Sequence, residues 1–240
     1  MNILMEIEYD GTDYAGWQFQ PHHRTIQGEL EKALRQILQT QIKIISASRT
    51  DAGVSAQGQI TNFHITNLRF ENITKFKNSL NAVLPDDIFI KSIKIVTDKF
   101  HARFSTKSKV YEYRILITPA PLRQRFAWVL LYKLNIANVR KAIKLFLKQT
   151  DYKKFCKVRD KDGHVVMKSI SIKKTKDEIL IRIEANRFLY KMVRRIVGAL
   201  VEVGRGHRTD QDIKDCLAGG NHRTLVCAPA NGLKLVKVKY

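Results

Sequence analysis

Apolar positions along this chain switch between a two-residue and a 3.6-residue period, and the switches outline its elements. Residues 2–9 (NILMEIEY) read as a strand, followed by a polar segment with Gly11 and Gly16. From Ile26 the period lengthens: Ile26, Leu30, Ala33, Leu34, Ile37 and Leu38 form one stripe, as on a helix laid against a sheet, and Thr25 can cap it. Two apolar runs, residues 42–45 and 59–63, then predict strands on either side of a tight polar loop, Ser48-Arg49-Thr50-Asp51-Ala52-Gly53-Val54. A helix over 72–83 ends at Leu84-Pro85-Asp86-Asp87, and residues 88–96 (IFIKSIKIV) predict the next strand. Strand and helix alternate here, but the strands are too short and mixed for a wound nucleotide fold.

Residues 97–108 carry no regular period and mark a boundary. Beyond them residues 110–117 alternate as a strand, with Tyr111 and Tyr113 on one face. A helix around residues 139–148 follows, then a hairpin of residues 166–174 and 178–185 turning at Thr175-Lys176-Asp177. The widest apolar stripe, Phe188 to Val203, predicts a largely buried helix bearing Lys191, Arg194 and Arg195. A short helix capped by Thr209 stops at Gly219-Gly220, and Leu233 to Tyr240 is the last strand. The pattern describes an α+β chain of two similar halves, residues 1–104 and 105–240, with mixed, mainly antiparallel sheets flanked by helices and a cleft between the halves. No repeat links the halves in sequence.

Charge changes the picture more than composition does. Lysine and arginine number 43 against 22 acidic residues, a net +21 spread over all 240 residues. Such a folded basic surface points to nucleic acid first and an acidic membrane second. No apolar run approaches the ~18 residues of a membrane span, and the N-terminus shows no leader pattern. Cys156, Cys216 and Cys227 are too scattered for a disulfide framework or zinc site. The seven histidines (His22, His23, His64, His101, His164, His207 and His222) lack metal-ligand spacing and read as surface or RNA-facing. The expectation is a cytoplasmic chain.

Candidate chemistry centres on Asp51. A carboxylate with Arg49 two residues before it and Gly53 two after can stay ionised when a substrate displaces its water. From spacing alone a plain turn aspartate bonded to its own backbone is the commoner reading. A phosphate loop at Gly11 and Gly16 is rejected, because Trp17 stands where lysine is required. In Phe100-His101-Ala102-Arg103-Phe104, cations interleave with aromatics, which suits phosphates and unstacked bases; a solvated linker with two buried phenylalanines is the alternative. The basic stretch 156–164 reads as a loop near RNA.

Nine segments in order resemble the TruA type of tRNA pseudouridine synthase. They are YDGTDYAGWQ (9–18), TIQGELEKAL (25–34), RTDAGV (49–54), GQ (58–59), LPDDI (84–88), FHARFS (100–105), KVYEY (109–113), FLYKMVRRIVGALVEVGRG (188–206) and APANGLKLVKVKY (228–240). The resemblance implies the pseudouridine synthase fold, with the active-site cleft between the halves. It also implies a homodimeric isomerase that converts uridines 38–40 of the tRNA anticodon stem-loop to pseudouridine without cofactor or metal. The family's catalytic aspartate falls on Asp51, its active-site tyrosine on Tyr111, the cation paired with the carboxylate on Arg194, and the arginine that holds the flipped base on Arg49. Phe100, His101, Ala102, Arg103 and Phe104 match a tRNA-contacting segment. Ser48 and Ser55 depart from the family's usual glycine and histidine. One carboxylate suits rearrangement better than hydrolysis, which normally takes two. A non-catalytic tRNA-binding or RNA-chaperone protein on the same fold is the alternative function.

Overall fold

The computed structural model describes residues 1–66, 72–156, 162–220 and 225–240. Most of the 156–164 stretch and His222 therefore lie outside the described residues. The fold is α+β, and the chain divides into two compact units, Met1–Lys107 with Lys234–Tyr240, and Ser108–Leu233.

The first unit is built on β1 (Asn2–Tyr9), β2 (Ile45–Ser46), β3 (Ser55–His64), β4 (Ile88–Val96) and the final strand β9 (Leu233–Lys239). β1 lies between β4 and β3, antiparallel to both, and β2 adds antiparallel to β3. The chain's last strand returns here and pairs parallel with β3 at Ser55↔Lys234 and Ala56↔Leu235. Two helices, α1 (Ile26–Leu38) and α2 (Ile73–Val83), cover this sheet with one apolar face each: Ile26, Leu30, Ala33 and Leu34 from α1, and Phe76 and Leu80 from α2. Each of these side chains other than Ala33 contributes about 1.5–3 kcal/mol when fully removed from water. Thr25 caps α1 by accepting from Gly28 N–H at 3.2 Å.

The strand expected at residues 42–45 shrinks to Ile45–Ser46. Its first half does not pair, because the Glu31 carboxylate takes the Ile44 N–H at 3.1 Å. Ile42 and Ile44 are nevertheless buried. Their apolar run records packing rather than a ladder.

The second unit holds β5 (Ser108–Leu116), β6 (Trp128–Val129), β7 (Met167–Lys174) and β8 (Glu178–Ala185). β8 lies antiparallel between β5 and β7, and β6 joins β5 in parallel. Helices α3 (Ile136–Leu147), α4 (Met192–Gly204) and α5 (Asp210–Leu217) complete it. α3 packs on α4, α5 and β7. Thr209 closes a capping box with Asp212. The helix expected from Phe188 begins only at Met192, because Lys191 has a left-handed backbone (φ 61°) and turns the chain. Residues 190 and 191 form the turn, with Met192 N–H donating to Leu189 O at 3.0 Å. Among the described residues no helix is long and apolar enough to cross a membrane, and no group of three or more His, Cys, Asp or Glu could hold a metal.

Candidate active site

Residues 47–54 join β2 to β3, and backbone bonds hold them from both ends. Ala47 N–H donates to Ile60 O at 2.8 Å, and Val54 N–H donates to Asp51 O at 3.1 Å. The polar segment after β1 supplies the rest: Trp17 N–H donates to Thr50 O at 3.0 Å and Gly53 N–H to Tyr14 O at 3.3 Å. Tyr9 OH and Thr50 Oγ1 share a buried hydrogen bond of 2.8 Å. Thr50 is buried while its neighbours Arg49 and Ala52 are exposed, and Asp51 is half-buried. The loop therefore turns Thr50 inward as an anchor and leaves Asp51 at the surface of its unit on a fixed backbone.

The two glycines of the rejected phosphate loop serve this packing. A Cβ on Gly11 would lie 2.0 Å from Val54 O, and one on Gly16 would lie 2.9 Å from Thr50 O. Gly16 also has φ +95°, a region costly to any other residue. In the sequence these glycines suggested only a phosphate loop, which Trp17 ruled out. Gly16→Ala is expected to lower stability by about 2 kcal/mol, from left-handed strain plus overpacking. It should also lower activity beyond what the unfolded fraction explains. Thermal melting beside turnover checks both, and unchanged turnover in folded protein would count against the loop's role.

Tyr111 and Arg194 belong to the second unit, and each is placed by that unit's own packing. Tyr111 lies on β5 opposite Ile183 and meets the Phe188 ring edge-on, with centroids 5.1 Å apart. Arg194, on the first turn of α4, donates from Nε to Ala228 O at 2.7 Å, and Ala228 N–H donates back to Arg194 O at 3.1 Å. The segment before β9 thus runs tightly along α4, and a Cβ on Gly198 would lie 2.0 Å from Val226 O. Ala228 and Pro229 of this strap, which orients the guanidinium, open the family-like segment 228–240, but nothing in the sequence showed that it packs along α4.

Tyr113, two residues on, has a different part. Its side chain is fully buried and its hydroxyl donates to Pro229 O at 2.8 Å. Burial pushes its phenol far above the ordinary value, against the opposing pull of the Arg194 charge. Buried and bonded to Pro229 O, this phenol anchors the strap.

The segment Phe100–Phe104 lies wholly in the first unit. Ala102 is fully buried, Phe100 and His101 are half-buried, and Arg103 and Phe104 are exposed. The His101 and Phe104 rings lie 4.3 Å apart, and the Arg103 guanidinium stands 5.5 Å from the Phe104 centroid. The structure thus groups Arg49 with Asp51 on one loop and assembles the 100–104 tip in the same unit. It holds Tyr111 and Arg194 in the other.

A family model described as tRNA pseudouridine synthase matches residues 5–105 and 142–240. The chain is an enzyme of the isomerase class that modifies RNA. It belongs to the tRNA pseudouridine synthase family. A relative named tRNA pseudouridine synthase A, from Thermoanaerobacter sp. (strain X514), is 38% identical across 100% of this chain and 99% of its own. Another from Bacillus cereus, tRNA pseudouridine synthase A 1, is 39% identical across 99% and 98%. A crystal structure of the archaeal box H/ACA sRNP Nop10-Cbf5 complex aligns with 83% of this chain and 53% of its own at 14% identity. Its TM-score of 0.34 is too low to carry weight.

Proposed function

We propose that this enzyme converts uridine to pseudouridine at positions 38–40 of the tRNA anticodon stem-loop, with Asp51 as its one catalytic acid. The observation that carries the reading is the Asp51 loop itself. A half-buried carboxylate stands between an exposed arginine and a glycine on a backbone pinned by Tyr14, Trp17 and Ile60. Breaking the glycosidic bond of uridine builds positive charge on the sugar, and an ionised carboxylate stabilises or captures that charge. The detached uracil then turns and rejoins through C5, and the C5 hydrogen leaves as a proton.

In this reading Tyr111 stacks on the base and helps move that proton. Arg194 supplies the positive charge that favours the ionised acid. Arg49 holds the uridine once it leaves the stack, a step costing a few kcal/mol. Arg103, Phe104 and His101 contact the RNA, with Phe100 behind them and Ala102 holding the tip in place. These roles rest on the family resemblance and, for Arg49, Arg103 and Phe104, on their exposure; Tyr111 is itself buried. The homodimeric state and the absence of a cofactor rest on the resemblance, and the cytoplasmic location on the scattered cysteines. The net charge of +21 adds that tRNA affinity falls steeply with salt.

The test uses tRNA transcripts with uridines at 38, 39 and 40 and elsewhere, treated with the enzyme and mapped by carbodiimide adduct formation and primer extension. Stops confined to positions 38–40 are expected. Stops at other positions would overturn the assigned site. Bound tRNA without stops would favour a binding protein on the same fold.

A further inference from the structure

The tip that carries His101, Arg103 and Phe104 is fixed from beneath by two amides buried in the sheet. Asn2 on β1 and Asn62 on β3 are both fully shielded from solvent. Asn62 Nδ2 donates to Asn2 Oδ1 at 2.8 Å, and Asn2 Nδ2 donates to Thr97 O at 2.9 Å and Phe100 O at 2.8 Å. Asn62 Oδ1 in turn accepts the Ala102 N–H at 2.8 Å. Buried amides are costly unless paired, and here their partners are the backbone of one loop.

The outer side of the loop is closed as firmly. Ala102 O accepts from Thr106 Oγ1 at 2.7 Å and from Tyr240 OH at 2.9 Å, while the Tyr240 ring packs on Phe100 with centroids 4.9 Å apart. His101 Nδ1 accepts the backbone N–H of Arg103 and of Phe104, each at 3.2 Å. This arrangement leaves Phe104 76% exposed beside the His101 ring and the Arg103 guanidinium. An exposed phenylalanine on a loop so thoroughly bonded gains nothing for the fold. It is ready-made for stacking on an unpaired base, with little ordering left to do on binding.

We propose that Asn62 and Asn2 are positioning residues, which preform this tip as a stacking platform for an unpaired base of the substrate tRNA. The inference rests on the RNA-contact reading of residues 100–104. Asn62→Leu keeps the branched shape of the side chain but removes the acceptor of the Ala102 N–H and the partner of Asn2. The tip then loosens, while the Asp51 loop keeps its own backbone bonds.

The experiment measures tRNA affinity by fluorescence anisotropy and turnover by tritium release, for wild type, Asn62→Leu, Phe104→Ala and the double variant. We expect Asn62→Leu to weaken affinity and raise KM about tenfold, the size of one lost stacking contact, with kcat within about twofold. The double variant should lose clearly less affinity than the sum of the two single losses, because Asn62 acts largely through the same ring. A general loss of structure would instead add the two effects. Should Asn62→Leu melt below the assay temperature, Tyr240→Phe removes the outer bond to Ala102 O, with an expected weakening of about threefold, the scale of one hydrogen bond. Wild-type affinity in the Asn62 or Tyr240 variant, or additive losses in the double variant, would overturn the proposal while the RNA contact stands. Wild-type affinity in both Phe104→Ala and Arg103→Ala would remove the RNA contact and the proposal with it.

Discussion

With Asp51 replaced by asparagine, tritium release from tRNA carrying 5-tritiated uridine falls by at least about a thousandfold, the scale of losing a group that acts on the reacting atoms. Asparagine keeps the shape of the side chain and removes its charge, so it cannot stabilise or capture the cationic sugar. Folding should survive, because backbone bonds from Ala47, Val54, Trp17 and Gly53 hold the loop. Affinity for tRNA should change by less than about threefold, and if anything strengthen, since one negative charge leaves a strongly basic protein. Release by wild type alone would establish both the reaction and the residue. Release by both proteins would assign the chemistry to another acid, and release by neither, with tRNA still bound, would support the non-catalytic alternative.

Gly198→Ala is expected to destabilise the protein by about 2 kcal/mol, although helix propensity alone favours alanine by about 1 kcal/mol. The sign is decided by the strap along α4. The added methyl would stand 2.0 Å from Val226 O, and a backbone carbonyl cannot swing aside as a flexible side chain can. For a chain of this length that cost corresponds to a fall in melting temperature of about 4–8 °C. The displaced strap also carries Ala228 O, which receives Arg194 Nε. Turnover should therefore fall by more than the unfolded fraction explains. A melting temperature equal to or above that of wild type would show that the strap is not held where we describe it.

Local physics made much of this protein legible in its sequence. Period and capping placed β1, α1, β4, the β7–β8 hairpin and α5 close to their observed limits, because each element's apolar face and cap lie within a few residues of one another. The resemblance carried by short segments named the family and pointed to Asp51. The readings that shifted did so for tertiary reasons. Residues 42–44 have a strand's composition, but a glutamate thirteen residues earlier takes the N–H that a ladder would need. The helix expected from Phe188 starts later because a lysine adopts a left-handed backbone, which no periodicity encodes.

The same division holds for the candidate site. Sequence alone determined which residue types stand beside Asp51 and that the chain is basic enough to seek RNA. Only the tertiary structure decided that Gly11 and Gly16 serve the 47–54 loop, that residues 226–229 orient Arg194, that Tyr113 is an anchor, and that Ala102 is buried while Phe104 is exposed. Those facts depend on close approaches between segments far apart in the chain. A glycine or an asparagine shows that such an approach is possible, and only the folded partner shows where it happens.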